Sequence, residues 1–183
     1  MRPLKGYNDA KPSGDFERLP AGGYIIKITG VKDEDAPDKQ YLKIIYDIAE
    51  GPEAGRYKNE EPKNDFRHSF IRSYKESALG MLKTFINAVD ETNGTKLGDT
   101  IEKGFDEQAL VGKRLGAVFG YEEYEANDCN IKERLYLKSC TTAEKIIAGD
   151  YKVPELKKLK AEKRSAGAIP EGFTPLGDAD LPF

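Results

Sequence analysis

The sequence predicts a mainly β, α+β fold with five short strands and one helix between the third and fourth. Three observations carry this. Apolar and polar residues alternate in two early segments. Between Ala78 and Val89 the apolar spacing lengthens to three and four. Strand patterns then return in two later segments, the first a long one interrupted by Gly116 and Gly120.

Taken in order, residues 1–19 are polar, with Pro3, Pro12 and Gly14, and read as a loose arm. A turn signal, PAGG, precedes YIIKITGVKD, where Tyr24, Ile26 and Ile28 share one face and Lys27 and Thr29 the other. The acidic DEDAPDK reads as a loop. The second strand is Tyr41–Ile48, with Leu42, Ile44, Tyr46 and Ile48 inward and Tyr41, Lys43, Ile45 and Asp47 outward. FRHSFIRSY, Phe66–Tyr74, reads as the third, with Phe70, Arg72 and Tyr74 on one side with His68, and Arg67 opposite. The helix follows, with Ala78, Leu79, Leu82, Phe85, Ile86 and Val89 on its apolar stripe. Ser73 or Ser77 is its expected cap, Asn93-Gly94 its end, and Gly80 a hint of close packing on a neighbour. A short helical turn is expected at DEQAL. The fourth strand is Lys113–Glu125, whose glycines imply a bulge or sharp bend. The fifth is Ile131–Ser139, with Lys132, Arg134, Tyr136 and Lys138 facing one way. A capping box, Thr141 to Glu144, then opens a short helix ending near Gly149. This is the element order of an OB-fold, a small, partly open Greek-key barrel, here over residues 20–150.

After Asp150 the pattern weakens. Residues 151–166 read as a short, basic, solvated helix or linker, and residues 167–183, rich in Pro and Gly, as a disordered tail. Charge follows this division. Residues 1–150 hold 23 basic and 27 acidic side chains, 151–170 hold 6 and 2, and 171–183 hold none and 3. The whole chain, 183 residues at a formal charge of −3, has about one domain's length and no overall basic balance. No apolar run approaches the roughly 18 residues of a membrane span. The N-terminus lacks the apolar stretch of a signal peptide, and the only cysteines are Cys129 and Cys140. A cytoplasmic protein is expected.

Enzyme signatures are lacking. One histidine, His68, gives no metal cluster or triad and reads as an ordinary strand residue. No phosphate-cradling glycine loop occurs, and the two cysteines lack metal-ligand spacing. A nuclease built on Asp33, Asp35 and Asp38 would need a second cation or base that their loop does not provide. A binding protein without catalysis or cofactor is therefore expected.

What remains are strand faces that mix rings with cations: Lys27; Tyr41 and Lys43; Phe70, Arg72 and Tyr74; Arg134, Tyr136 and Lys138. Single-stranded nucleic acid uses such a surface, because rings stack on unpaired bases and cations meet the phosphates. Outward Lys and Tyr also occur on sheets that bind nothing. The chain end decides between these. The sequence Asp178-Ala179-Asp180-Leu181-Pro182-Phe183 resembles the acidic C-terminal tip of bacterial single-stranded DNA-binding proteins, with Ala179 where an acid is usual. Segments such as LVGKRLGAVFGYEEY look more like the phage and prophage proteins of this kind.

The resemblance implies an OB-fold that coats single-stranded DNA during phage or prophage replication or recombination. It also implies a tip that recruits host or phage replication, recombination and repair proteins through Asp178, Asp180, Leu181, Pro182 and Phe183, and leaves room for a homo-oligomer. The alternative is a protein-interaction or virion module on the same barrel, without DNA affinity.

Overall fold

The computed structural model describes residues 18–36, 39–60 and 62–159 of the chain. In order these form β1 (Gly22–Ala36), β2 (Lys39–Ile48), β3 (Ser69–Ser73), α1 (Leu79–Asn93), β4 (Arg114–Glu125), β5 (Ile131–Thr141) and α2 (Ala143–Ile147). The strands make one antiparallel sheet in the order β3-β2-β1-β4-β5. The expected arm, apart from Arg18 and Leu19, residues 160–166 of the basic stretch, and the tail with its tip lie outside the described residues.

Alternation explains the sheet's inner face. Ile26 and Ile28 of β1, all four expected residues of β2, and Leu115, Ala117 and Phe119 of β4 are buried together. The apolar stripe of α1, Leu82, Phe85, Ile86, Ala88 and Val89, fills the concavity between them. Phe85 is fully buried and meets Phe70 edge to face at 5.7 Å. No pairing joins β3 to β5 among the described residues, so the sheet is not closed. It is nonetheless strongly curled. In a flat sheet four strand spacings of about 4.8 Å would hold the edges roughly 19 Å apart. Here Arg72 Nη2 on β3 donates to Cys140 Sγ on β5 at 3.1 Å.

Several local expectations change. The acidic run does not form a loop at once: Asp33, Glu34, Asp35 and Ala36 continue β1 and pair with Leu42, Tyr41, Gln40 and Lys39. Backbone pairing in the long hairpin outweighs the poor strand propensity of those acids. β3 starts only at Ser69, because Pro62–His68 forms a 3-10 turn. Ala78, not a serine, precedes α1, and no side chain caps it. Leu79 is exposed, and Gly80 has nothing within 4 Å of where a Cβ would sit, so close packing is not its role. At the other end Gly94 does close the helix, at φ +63°. Asn93 latches it to β4 through both directions of bonding with the Arg114 backbone, at 2.8 and 3.1 Å. The DEQAL turn is present as Glu107–Leu110, and α2 is capped by Thr142 rather than Thr141.

The glycines of β4 flank the register shift at Val118/Phe119, and they also allow close approach. A Cβ on Gly116 would lie 2.5 Å from the Thr142 carbonyl oxygen, and one on Gly120 would lie 2.4 Å from Pro154 Cγ. Beyond α2 the expected basic helix is absent over 151–159; the segment runs extended and meets β4 at a parallel bridge, Glu122 to Lys157. Its apolar anchors are too few for a helical stripe, while the free edge of β4 offers backbone partners.

His68 is no ordinary strand residue. It is buried in the turn before β3, stacked on Tyr57 at 4.9 Å and edge-on to Tyr46. Burial holds its pKa below the usual value of 6.5, and Nδ1 has no hydrogen-bond partner among the described residues.

Phe85→Ala should cost about 3–5 kcal/mol in urea unfolding, through the cavity it opens, whereas Gly80→Ala should be neutral or stabilising by up to about 1 kcal/mol. For His68, the unfolded chain binds the proton more readily than the folded one. Stability should therefore fall as pH drops below about 6.5, levelling once the folded imidazole itself protonates. His68→Phe should flatten that part of the melting-temperature profile; an unchanged profile would mean that the imidazole does not titrate in this way.

Candidate nucleic-acid interface

The face of the sheet turned away from α1 is set by register. Lys27, Lys32, Glu34, Tyr41, Lys43, Ile45 and Asp47 lie on it across β1 and β2, and Ser69, Ile71 and Ser73 continue it on β3. Arg114 of β4 stands beside Lys27. On β4 and β5 the same face carries Gly120, Glu122 and Tyr124 opposite Tyr136, Arg134 and Lys132.

The nine expected contact residues divide into three groups. Lys27, Tyr41 and Lys43 lie together on the β1–β2 part of this outer face. Lys27 is exposed, and its ammonium has no hydrogen bond or ion pair among the described residues. Tyr41 is half-buried between Glu34 and Ser73. Lys43 is held by Asp65 at 2.8 Å, which Lys32 also reaches at 3.1 Å. These bonds, that to Lys43 first, hold the Asp65 carboxyl below its usual pKa.

Phe70, Arg72 and Tyr74 are on the inner face, so the expectation that they line the outer wall is corrected. Phe70 packs against Tyr46 and Phe85. The Arg72 guanidinium lies over Phe70 at 4.7 Å and bonds Cys140, and Tyr74 donates to Asp33 Oδ1 at 2.6 Å. The reason is register: Phe70 pairs with Ile44 and Arg72 with Leu42, both core residues of β2.

Arg134 and Tyr136 do lie on the outer face, where the chain's own segment 151–159 crosses Gly120 and reaches the Tyr136 ring while Arg134 stays exposed. Lys157 Nζ bonds Glu122 at 3.0 Å and sits 5.7 Å from the Tyr136 ring centre. Arg134 bonds the same carboxylate at 2.9 Å. Lys157 foremost, with Arg134, keeps the Glu122 carboxyl ionised below its usual range. Lys138 is exposed beside the register shift. The tip residues Asp178, Asp180, Leu181, Pro182 and Phe183 lie outside the described residues.

Two functional candidates were missed by alternation. Phe66 is 67% exposed, with the Arg67 guanidinium 5.8 Å from its ring. Its turn is tied to the outer face by Asp65, which bonds Lys32 and Lys43, and the Phe66 ring is exposed on that turn. Read as part of a strand, Phe66 would alternate inward or outward like its neighbours; a Pro62 start to the turn was the available signal. The other is Arg114, which pairs with Glu50 at 2.7 Å and, with Lys27, Asp47 and Val111, lines an open groove of about 550 Å³.

The described residues contain no group of three or more His, Cys, Asp or Glu arranged to hold a metal, and no helix long and apolar enough to cross a membrane. Compared with known proteins, the chain matches no protein-family model and no curated protein.

Proposed function

We propose that the protein binds single-stranded DNA in a sequence-tolerant manner on the outer face of β1–β3, in phage or prophage replication or recombination. Partner proteins are recruited through Asp178, Asp180, Leu181, Pro182 and Phe183. The observation that carries the reading is Phe66, a solvent-facing ring on a turn pinned beside Lys32 and Lys43, with Lys27 and Arg114 further along the same face. A single strand needs rings and cations together: bases stack without regard to identity, and phosphates pair with ammonium and guanidinium groups. The strand order and the single helix between β3 and β4 support an OB-fold for this surface, with β3 and β5 drawn together by Arg72. Support for the tip comes from its composition: Phe183 offers a ring, Pro182 limits the entropy lost on docking, and the aspartates steer toward basic surfaces.

In fluorescence anisotropy, labelled oligo-dT should bind with an affinity that falls steeply with salt, and an equal-length duplex should bind far more weakly. Phe66→Ala should weaken oligo-dT binding by about fivefold or more, the low end of one stacked base. Asp65→Asn, which unpins the Phe66 turn from Lys32 and Lys43, should weaken it despite the added positive charge. Duplex binding equal to single strand, or an unaffected Phe66→Ala variant, would overturn the stacking surface. Separately, deleting Leu181–Phe183 should leave oligo-dT affinity equal or higher and abolish pull-down of replication or repair proteins. Pull-down unchanged by the deletion would remove the tip's role.

A further inference from the structure

The segment Tyr151–Leu159 lies across the outer face of β4–β5. β1 begins at Gly22, opposite Phe119, so beyond Phe119 that edge of β4 has no strand beside it. The segment occupies the edge. Lys157 N donates to the Tyr121 carbonyl at 3.0 Å, Glu123 N donates to the Lys157 carbonyl at 2.9 Å, and Leu159 N reaches Glu123 Oε2 at 2.9 Å. On its way it crosses two glycines. A Cβ on Gly23 would lie 2.5 Å from the Tyr151 ring, and one on Gly120 would lie 2.4 Å from Pro154. The floor is thus shaped to admit the segment, yet the attachment is small: one bridge and a few polar contacts, with half or more of the Lys157 side chain in water. Such an attachment opens at far lower free energy than the sheet.

Beneath and beside it stand the same kinds of groups as on β1–β3. Tyr136 has Lys157 near its ring, Arg134 lies over Tyr124 at 5.2 Å, and Glu122 holds both cations. A base stacking on Tyr136 would compete with Lys157 for that ring, and a displaced Lys157 would be available to a phosphate. Register puts this surface on the same face as that of β1–β3, with α2 packed on Gly116 between the two, so that only a longer strand reaches both.

We propose that the outer face of β4–β5, through Tyr136, Tyr124 and Arg134, is a second contact surface for single-stranded nucleic acid, and that Tyr151–Leu159 is its displaceable cover. This rests on the reading of the β1–β3 face given above. The uncovered face binds first, and a longer strand then lifts the segment and gains the second.

The test uses the full chain. Gly23→Ala evicts Tyr151 sterically and leaves charge unchanged. Lys157→Glu repels Glu122, and is measured against Lys158→Glu, an equal charge change one residue along. Gly23→Ala should raise the affinity for a long oligo-dT about fivefold, the low end of one added stacked base, and Lys157→Glu should bind more tightly than Lys158→Glu. Adding Tyr136→Ala should cancel the gain in the Gly23→Ala background. Hydrogen exchange should show the Glu123 amide losing protection in both opened variants, and in the parent once saturated with long oligo-dT. A Glu123 amide that stays protected in the saturated parent, or opened variants that bind no better than their references, would overturn the cover alone. If parent and variants all fail to bind oligo-dT, the nucleic-acid reading itself is overturned, and the cover with it.

Discussion

The curl of the sheet around Phe85 is the constraint on which the other features depend. One sheet and one 15-residue helix must hide the apolar inner set of four strands. A flat sheet would leave both edges and much of that set in water, at roughly 25 cal/mol for each Å² exposed. Curling brings Phe70 onto Phe85 and brings Arg72 to Cys140, so a guanidinium from one edge strand closes over the core toward the other. Arg72 lies over two rings, Phe70 and Phe85, which lets a cation sit at an apolar seam. Burial raises the Cys140 thiol pKa despite that neighbour, so the sulfur accepts from Arg72 as a neutral group.

Curling also decides what the other face can carry. With the inner face filled by α1, Lys27, Tyr41 and Lys43 are left outward, and the close approaches to the sheet fall at glycines. Gly116 admits the Thr142 carbonyl and Ile146 of α2; Gly23 and Gly120 admit Tyr151 and Pro154. Ile25 and Val118, on this outer side, are buried as a result. The outer face therefore has two different halves. One packs against the chain's own C-terminal side, and the other, around Lys27 and the Phe66 turn, is open.

Legibility followed the strength of the local pattern. β2 and α1 were readable because period and burial coincide there, whereas β4 buries both faces from Leu115 to Gly120. Leu42, Ile44, Tyr46 and Ile48 are all buried, and Leu82, Phe85, Ile86 and Val89 form the helix stripe as spaced. The run FRHSFIRSY was not readable, because both its faces carry apolar groups. Only pairing with β2 shows that Phe70 and Arg72 share the core side and that Phe66 belongs to a turn. Residues 151–159 failed for a different reason. Their conformation is set by an edge of β4 more than 30 residues earlier in the chain, which no local window contains. Of the candidate interface, Tyr41 and Lys43 were placed on one face from sequence, while the position of Lys27 beside them, Phe66 and Arg114 required the fold.

The electrostatics of the outer face bear on how a polyanion could use it. Two carboxylates organise the cations there, Asp65 holding Lys32 and Lys43, and Glu122 holding Arg134 and Lys157. Each acid is mostly covered, while Lys32, Arg134 and Lys157 are more than half exposed. Exposed pairs of this kind contribute about 0–1 kcal/mol, so breaking them costs little. They still serve to hold long side chains near one position, which lowers the entropy that a second anion must overcome. A phosphate approaching from solvent need not expel the carboxylate, because an ammonium has three donors and a guanidinium five. On the proposed reading the acids are therefore not obstacles to nucleic acid. They fix partly satisfied cations beside the Phe66 turn and the Tyr136 ring, where a phosphate can share them.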